Sequence, residues 1–262
     1  MCVGLLYSLG FHNVLTSLRS GNPAWLIASI VVAMLPTAIA GVRLAALSSF
    51  AMPLSEAFAS ASRAASFNMV LPGRLGESDR VLVLAKYTGK TRALALIAAD
   101  NATWMLAFML LVALTVPAFI AERFALPAWL MAACVASAAL AAIIAAAIAR
   151  RKIATIPGKV VACVIAGALM AWLCELAALA LLLRSYGVDA SNAPAVISAV
   201  TLGLAIPIPA GLGIWEVGTQ SALAASGVEA SRGIAIGLAY HASYALACVM
   251  AWGLSSLFWR GR

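Results

Sequence analysis

Residues 160–183 read VVACVIAGALMAWLCELAALALLL, 24 positions that contain one charge, Glu175. At about 1.5 Å of rise per residue, a helix of that length reaches roughly 36 Å and crosses the roughly 30 Å hydrocarbon core of a bilayer. A soluble helix this long would show a polar face, and this run shows none. Runs of the same kind recur on both sides of it. The 262 residues are 65% hydrophobic and 10% charged, with a mean hydropathy of +1.04. A soluble domain carries roughly 25% charged and about 45–50% apolar residues. The chain therefore reads as an all-α polytopic integral membrane protein. A β-barrel does not fit, because its segments would be about 10 residues long and would alternate in polarity.

Across the whole chain, spans are expected at 2–18, 24–42, 93–119, 128–149, 160–183 and 233–258, with short segments near 54–71, 194–208 and 214–226. That makes about six to eight membrane segments, counting the short ones in pairs. The stretch MCVGLLYSLGFHNVLTSL (1–18) is short for a full span and reads as a truncated first helix. Orientation comes from RRKIATIPGK, where Arg150, Arg151, Lys152 and Lys159 crowd one loop and mark it as cytoplasmic. Counting from it, the Tyr186–Asn192 loop lies outside and the C-terminus, with Arg260 and Arg262, lies inside. The net charge of +8 arises from such loops and points to anionic lipid rather than nucleic acid.

Two short segments are interrupted by the same five-residue pattern. MVLPGRLGE (69–77) and AIPIPAGLGIWE (205–216) both contain P-x-x-L-G, at Pro72 to Gly76 and at Pro209 to Gly213. Proline removes a backbone donor and glycine loosens the helix, so Pro72, Gly76, Pro207, Pro209, Gly211 and Gly213 are expected to break it. By the charge count, the two broken elements enter from opposite faces of the membrane. The residues downstream of the two breaks match as well. Arg232 lies 140 residues after Arg92, and at that spacing Thr103–Trp104 aligns with Ser243–Tyr244, and Asp100–Asn101 with Tyr240–His241. The expectation is a single domain over 1–262 containing an inverted repeat, with halves at about 24–149 and 160–262 and two broken or re-entrant helix pairs. Unwound backbone at membrane depth is tolerated where it is buried or lines a wet cavity.

FNMVLPGRLGESDRVLVLAKYTGK (67–90) resembles the first signature of the lysylphosphatidylglycerol synthase transmembrane family, or flippase-like domain, through Asn68, Leu71 to Arg74, Gly76, Glu77 and Arg80. Pro207, Pro209, Gly211, Leu212, Gly213 and Glu216 resemble its second signature, and GVRLAALS, with Arg43 after a span, is also similar. The resemblance implies movement of a lipid or lipid-linked molecule between leaflets. It leaves anionic or aminoacylated phospholipid, hopanoid and polyprenyl-linked sugar as substrates, in a bacterial cytoplasmic membrane. The soluble synthase module of the fused members is absent from this sequence, so synthase activity is not carried over.

The candidate substrate-binding residues are Arg74, Glu77, Arg80, Asp100, Glu175 and Glu216. Glu77 and Glu216 come just after the breaks and suit a cationic headgroup or a proton, or the positive end of the helix that starts there. Arg74 and Arg80 suit a lipid phosphate, or an ion pair with Glu77 or Asp79. Asp100 and Glu175 lie inside spans, where carboxylates are costly and face the bundle interior; Arg92 is a local partner for Asp100. His241 and Tyr240 read as a polar contact between helices. Trp25, Trp104, Trp129, Trp172, Trp252 and Trp259 lie in or near spans, and an aromatic belt accounts for the terminal ones.

With two histidines and five dispersed cysteines, no metal site or cofactor is expected. No P-loop, H-E-x-x-H or G-x-S-x-G is present, so no enzyme is expected. The leading expectation is a flippase whose headgroup path runs in a hydrated groove between the two inverted halves. The alternative is a non-transporting subunit that binds or presents lipid for a lipid or cell-envelope synthesis enzyme. A homo-oligomer is compatible with either.

Overall fold

The computed structural model describes residues 11–71, 75–123, 157–204, 211 and 213–259. Among the described residues there is no strand, and nearly all are helical. In chain order the helices are α1 Phe11–Arg19, α2 Pro23–Ala33, α3 Leu35–Leu47, α4 Leu54–Asn68, α5 Glu77–Thr88 and α6 Lys90–Arg123. After the undescribed stretch come α7 Gly158–Ser185, a short 3₁₀ turn Ala190–Asn192, α8 Ala193–Gly203, α9 Ile214–Ala224 and α10 Ala230–Trp259. The expected span 128–149 and the basic cluster Arg150 to Lys152 lie outside the described residues, as do Pro72, Arg74, Pro207 and Pro209.

Four stretches among the described residues are long and apolar enough to cross a membrane: Pro23–Leu47, Lys90–Val112, Gly158–Ser185 and Ala230–Leu257. The first is two helices in succession. Pro36 has no N–H to give the carbonyl four residues back, and the Met34 N–H closes the end of α2 on Val31 O and Val32 O. On α7 the exposed side chains Val161, Ile165, Leu169 and Leu173 fall four apart, a purely apolar stripe. Buried positions instead include Arg43, Asp100, Glu175 and Glu216. Water-soluble proteins show the reverse, and lipid as solvent explains the inversion. The chain is a multi-pass membrane protein.

Both P-x-x-L-G patterns fall between two short antiparallel helices. At about 1.5 Å per residue, α4 with 15 residues and α5 with 12 reach roughly 22 and 18 Å. Helices α8 and α9, with 11 residues each, reach roughly 16 Å. None of the four crosses a hydrocarbon core of roughly 30 Å. The α4–α5 pair is zipped by Ser60 and Arg63 on Asp79 near its tip, and by Lys86 and Tyr87 on Glu56 at its open end. The α8–α9 pair closes by small residues instead: a Cβ on Gly218 would lie 3.2 Å from Val200 Cα. Gly213 enters α9 at φ +87°, a left-handed backbone that glycine adopts without strain.

The chain divides into two compact units. The first comprises Met1–Met34, Asn68–Gly73 and Cys174–Ala247; the second comprises Leu35–Phe67, Arg74–Leu173 and Cys248–Arg262. In the first unit, Val14 of α1 packs on Ile234 and Ala235 of α10, and Ser29 Oγ donates to Ala178 O at 2.8 Å. In the second, Leu44, Met52, Leu84, Leu96 and Val164 share one apolar core from α3, α5, α6 and α7. Trp172 there is buried against Trp104 and Phe108 and donates its Nε1 proton to Trp104 O.

Candidate functional site

The second unit holds a chain of four charges on three helices. Asp100 of α6 is 1% exposed. Its Oδ1 accepts from Arg43 of α3, at 3.0 Å from Nε and 2.6 Å from Nη2, and its Oδ2 accepts from Arg80 Nη2 of α5 at 2.7 Å. Arg80 Nη1 donates to Glu77 Oε2 at 2.8 Å, one turn back on α5. Two guanidinium groups thus balance the fully buried Asp100 and the partly buried Glu77, and at Asp100 an unpaired charge would cost several kcal/mol. The Arg43 stem reaches this position because α7 has no side chain in its way. A Cβ on Gly167 would lie 2.7 Å from Arg43 Cγ and 2.8 Å from Cδ. One donor is left over: Arg80 Nε is buried without a hydrogen-bond partner.

The first unit holds a different cluster. Glu216 is the third residue of α9 and its Oε2 accepts from the Gly213 N–H at 3.0 Å, so it closes the helix start. Its Oε1 lies 3.2 Å from His241 Nδ1 of α10. An ionised carboxylate only accepts, which assigns the proton between them to Nδ1. Trp215 stacks on the His241 ring at 5.2 Å and 13°, and meets Tyr240 edge-on at 4.8 Å and Tyr244 at 5.4 Å. Tyr244 in turn lies beside Glu175 of α7. The start of α9 sits backbone to backbone on α10, since a Cβ on Gly237 would lie 2.6 Å from Glu216 Cα and 2.9 Å from Trp215 O. Glu175 and Glu216 are 7% and 6% exposed.

The six candidates therefore separate. Glu77, Arg80 and Asp100 meet in the second unit, Glu175 and Glu216 share a cluster in the first, and Arg74 lies outside the described residues. Asp100 takes Arg43 and Arg80 as partners, both more distant in sequence than the Arg92 that lies two turns away on its own helix. Asp79 is engaged by Arg63 rather than by Arg80. Arg43 is the residue that the sequence pattern leaves outside the site. The expected span ends at residue 42, whereas α3 continues through LAAL to Leu47 and Arg43 is 3% exposed. An arginine inside a continuing apolar run is the available signal. Among the described residues no group of three or more His, Cys, Asp or Glu is arranged to hold a metal ion.

A family model described as Lysylphosphatidylglycerol synthase TM region matches residues 1–253 of the chain. No curated protein matches it.

Proposed function

The chain belongs to the lysylphosphatidylglycerol synthase TM family, and on that premise we propose that this membrane domain carries the headgroup of a lipid or lipid-linked molecule from one leaflet to the other. The observation that carries the reading is the Arg43–Asp100–Arg80–Glu77 chain. Each oxygen of the Asp100 carboxylate is taken by a different guanidinium, an arrangement suited equally to a phosphate oxyanion. Arg80 keeps a spare buried donor for such a ligand. Of the substrate classes compatible with the family resemblance, those bearing phosphate are favoured: anionic or aminoacylated phospholipid, or a polyprenyl-linked sugar.

The inverted repeat belongs to the same proposal. Each break joins two helices too short to span, which suits re-entrant pairs lining a polar route. In each unit the carboxylate after the break is tied to the next long helix. Glu77 reaches Asp100 through Arg80, and Glu216 reaches His241 directly, and Asp100 and His241 fall one place apart in the repeat. The transfer needs no covalent step, so no residue is assigned a catalytic role. The loop charges support a bacterial cytoplasmic membrane with the C-terminus inside.

The test is reconstitution into liposomes with fluorescent lipids of anionic, zwitterionic and aminoacylated headgroups, reading exchange by quenching of the outer leaflet. Faster exchange than in protein-free liposomes is expected for at least one class. Arg80→Gln should slow it about tenfold or more, the equivalent of one charged hydrogen bond. Exchange at the protein-free rate for every lipid would overturn the reading and favour a subunit that presents lipid to a synthesis enzyme.

A further inference from the structure

We infer that Glu216 and His241, with the buried Glu175 nearby, form a site for an exchangeable proton within the first unit. The two units differ first in charge. In the second unit the buried Asp100 and the partly buried Glu77 face two arginines. In the first, Glu216 is bonded to Gly213 N–H and His241, and Glu175 lies beside Tyr244. Among the described residues neither carboxylate pairs with a lysine or arginine. Among the described residues no other cation is bonded to the cluster: Arg232 of α10 donates to Tyr186 O, and Arg184 of α7 stands in the last turn of that helix. Helix α9 carries Glu216 alone, and α8, packed along it, carries no titratable side chain. Helix α10 presents Tyr240, His241 and Tyr244, and α7 presents Glu175 beside Cys174. With a neutral imidazole this cluster holds two negative charges in a membrane interior, an arrangement that cannot stand uncompensated.

Protons from water supply what the side chains lack. His241 Nδ1–H already points at Glu216, so an added proton goes to Nε2 and makes the pair a neutral imidazolium–carboxylate couple. A second proton on Glu175 removes the remaining charge. Trp215 touches both His241 and Tyr244 and links the two halves of the site. A further polar group stands open beside them. Thr219, one turn beyond Glu216 on α9, is fully buried and its hydroxyl has no hydrogen-bond partner. Because Glu216 also fixes the start of α9 at Gly213, the proton content of the site sets how firmly that hairpin end is held. The use of this proton as the ion that drives lipid movement rests on the lipid-transfer reading above.

The chain has two histidines, so a His12→Gln protein labelled with ¹⁵N-histidine reports His241 alone. Its imidazole resonances are followed from about pH 5 to about pH 9 in the parent and in Glu216→Gln, and the two proteins are expected to give different curves. Trp215 emission, taken as the difference from Trp215→Phe, should follow the same curve through its stacked imidazole. Flat resonances in protein that keeps its normal melting profile would overturn the site, as would an unchanged curve in Glu216→Gln. In liposomes, a transmembrane pH gradient should change the lipid exchange rate of the parent and not that of His241→Gln. A rate indifferent to the gradient would overturn the coupling role. Absence of exchange under every condition would count against lipid transfer itself, and the histidine titration would still decide the proton site.

Discussion

In the second unit Asp100 and Glu77 face two arginines; in the first, Glu216 and Glu175 face a histidine and a tyrosine. Glu77 and Glu216 each follow a P-x-x-L-G break, and each cluster ties a short helix to a long one. The difference is in what can change. A guanidinium never loses its proton under physiological conditions, so the Arg43–Asp100–Arg80 chain keeps one charge state and one geometry. An imidazole and a carboxylate can exchange a proton, and the proton-site proposal gives the other cluster more than one state. The arginine cluster is built as a fixed grip, and the histidine cluster as an element whose charge varies.

The largest effects should come from removing the centre of each cluster, and they put this contrast at risk most directly. Asp100→Ala leaves two buried guanidinium groups facing each other and should cost about 3–5 kcal/mol, the loss associated with stranding one side of a buried ion pair. Glu216→Gln keeps an acceptor for the Gly213 N–H and strands no fixed charge, and should cost about 1 kcal/mol. Unfolding of both variants in the same detergent checks the order. Equal losses would mean that the two clusters are not different in kind.

The glycine seats refine it. Gly237→Ala places a methyl against backbone, at Glu216 Cα and Trp215 O, and should cost about 2–3 kcal/mol, because neither atom can move without shifting α9. Gly167→Ala meets the Arg43 stem, a side chain with some room to turn, and should cost nearer 1 kcal/mol. A double-mutant cycle of Gly167→Ala with Asp100→Asn should be non-additive, since both act on the Arg43 contact. The smallest effect belongs to the α4–α5 zipper. Arg63 and Asp79 are partly exposed at 3.1 Å, and Arg63→Ala should lower stability by about 0.2–1 kcal/mol, with a dependence on salt that the buried clusters lack.

Much of the fold was legible in the order of residues. The apolar runs fixed α6, α7 and α10 to within a few residues, because a helix that must satisfy its backbone in lipid needs a minimum length of apolar side chains. The short segments at 54–71, 194–208 and 214–226 appeared as α4, α8 and α9 for the same reason, with proline and glycine marking where they stop. The role of Glu216 at the start of α9 was also local: three residues separate it from the N–H it accepts.

The partners were not. Asp100 has an arginine two turns away on its own helix, yet it is held by Arg43 and Arg80 from two other helices. Nothing near Trp215 in the sequence announces that it will lie against three side chains of α10. Residue order is enough to establish that the chain is built of membrane helices, where two of its segments break, and which acids and bases are dear enough in lipid to need a partner. Packing in three dimensions chose which partner each received. That choice depends on how each helix is turned about its axis and how closely two backbones approach, and those are set at positions such as Gly167 and Gly237 rather than by the residues next in line.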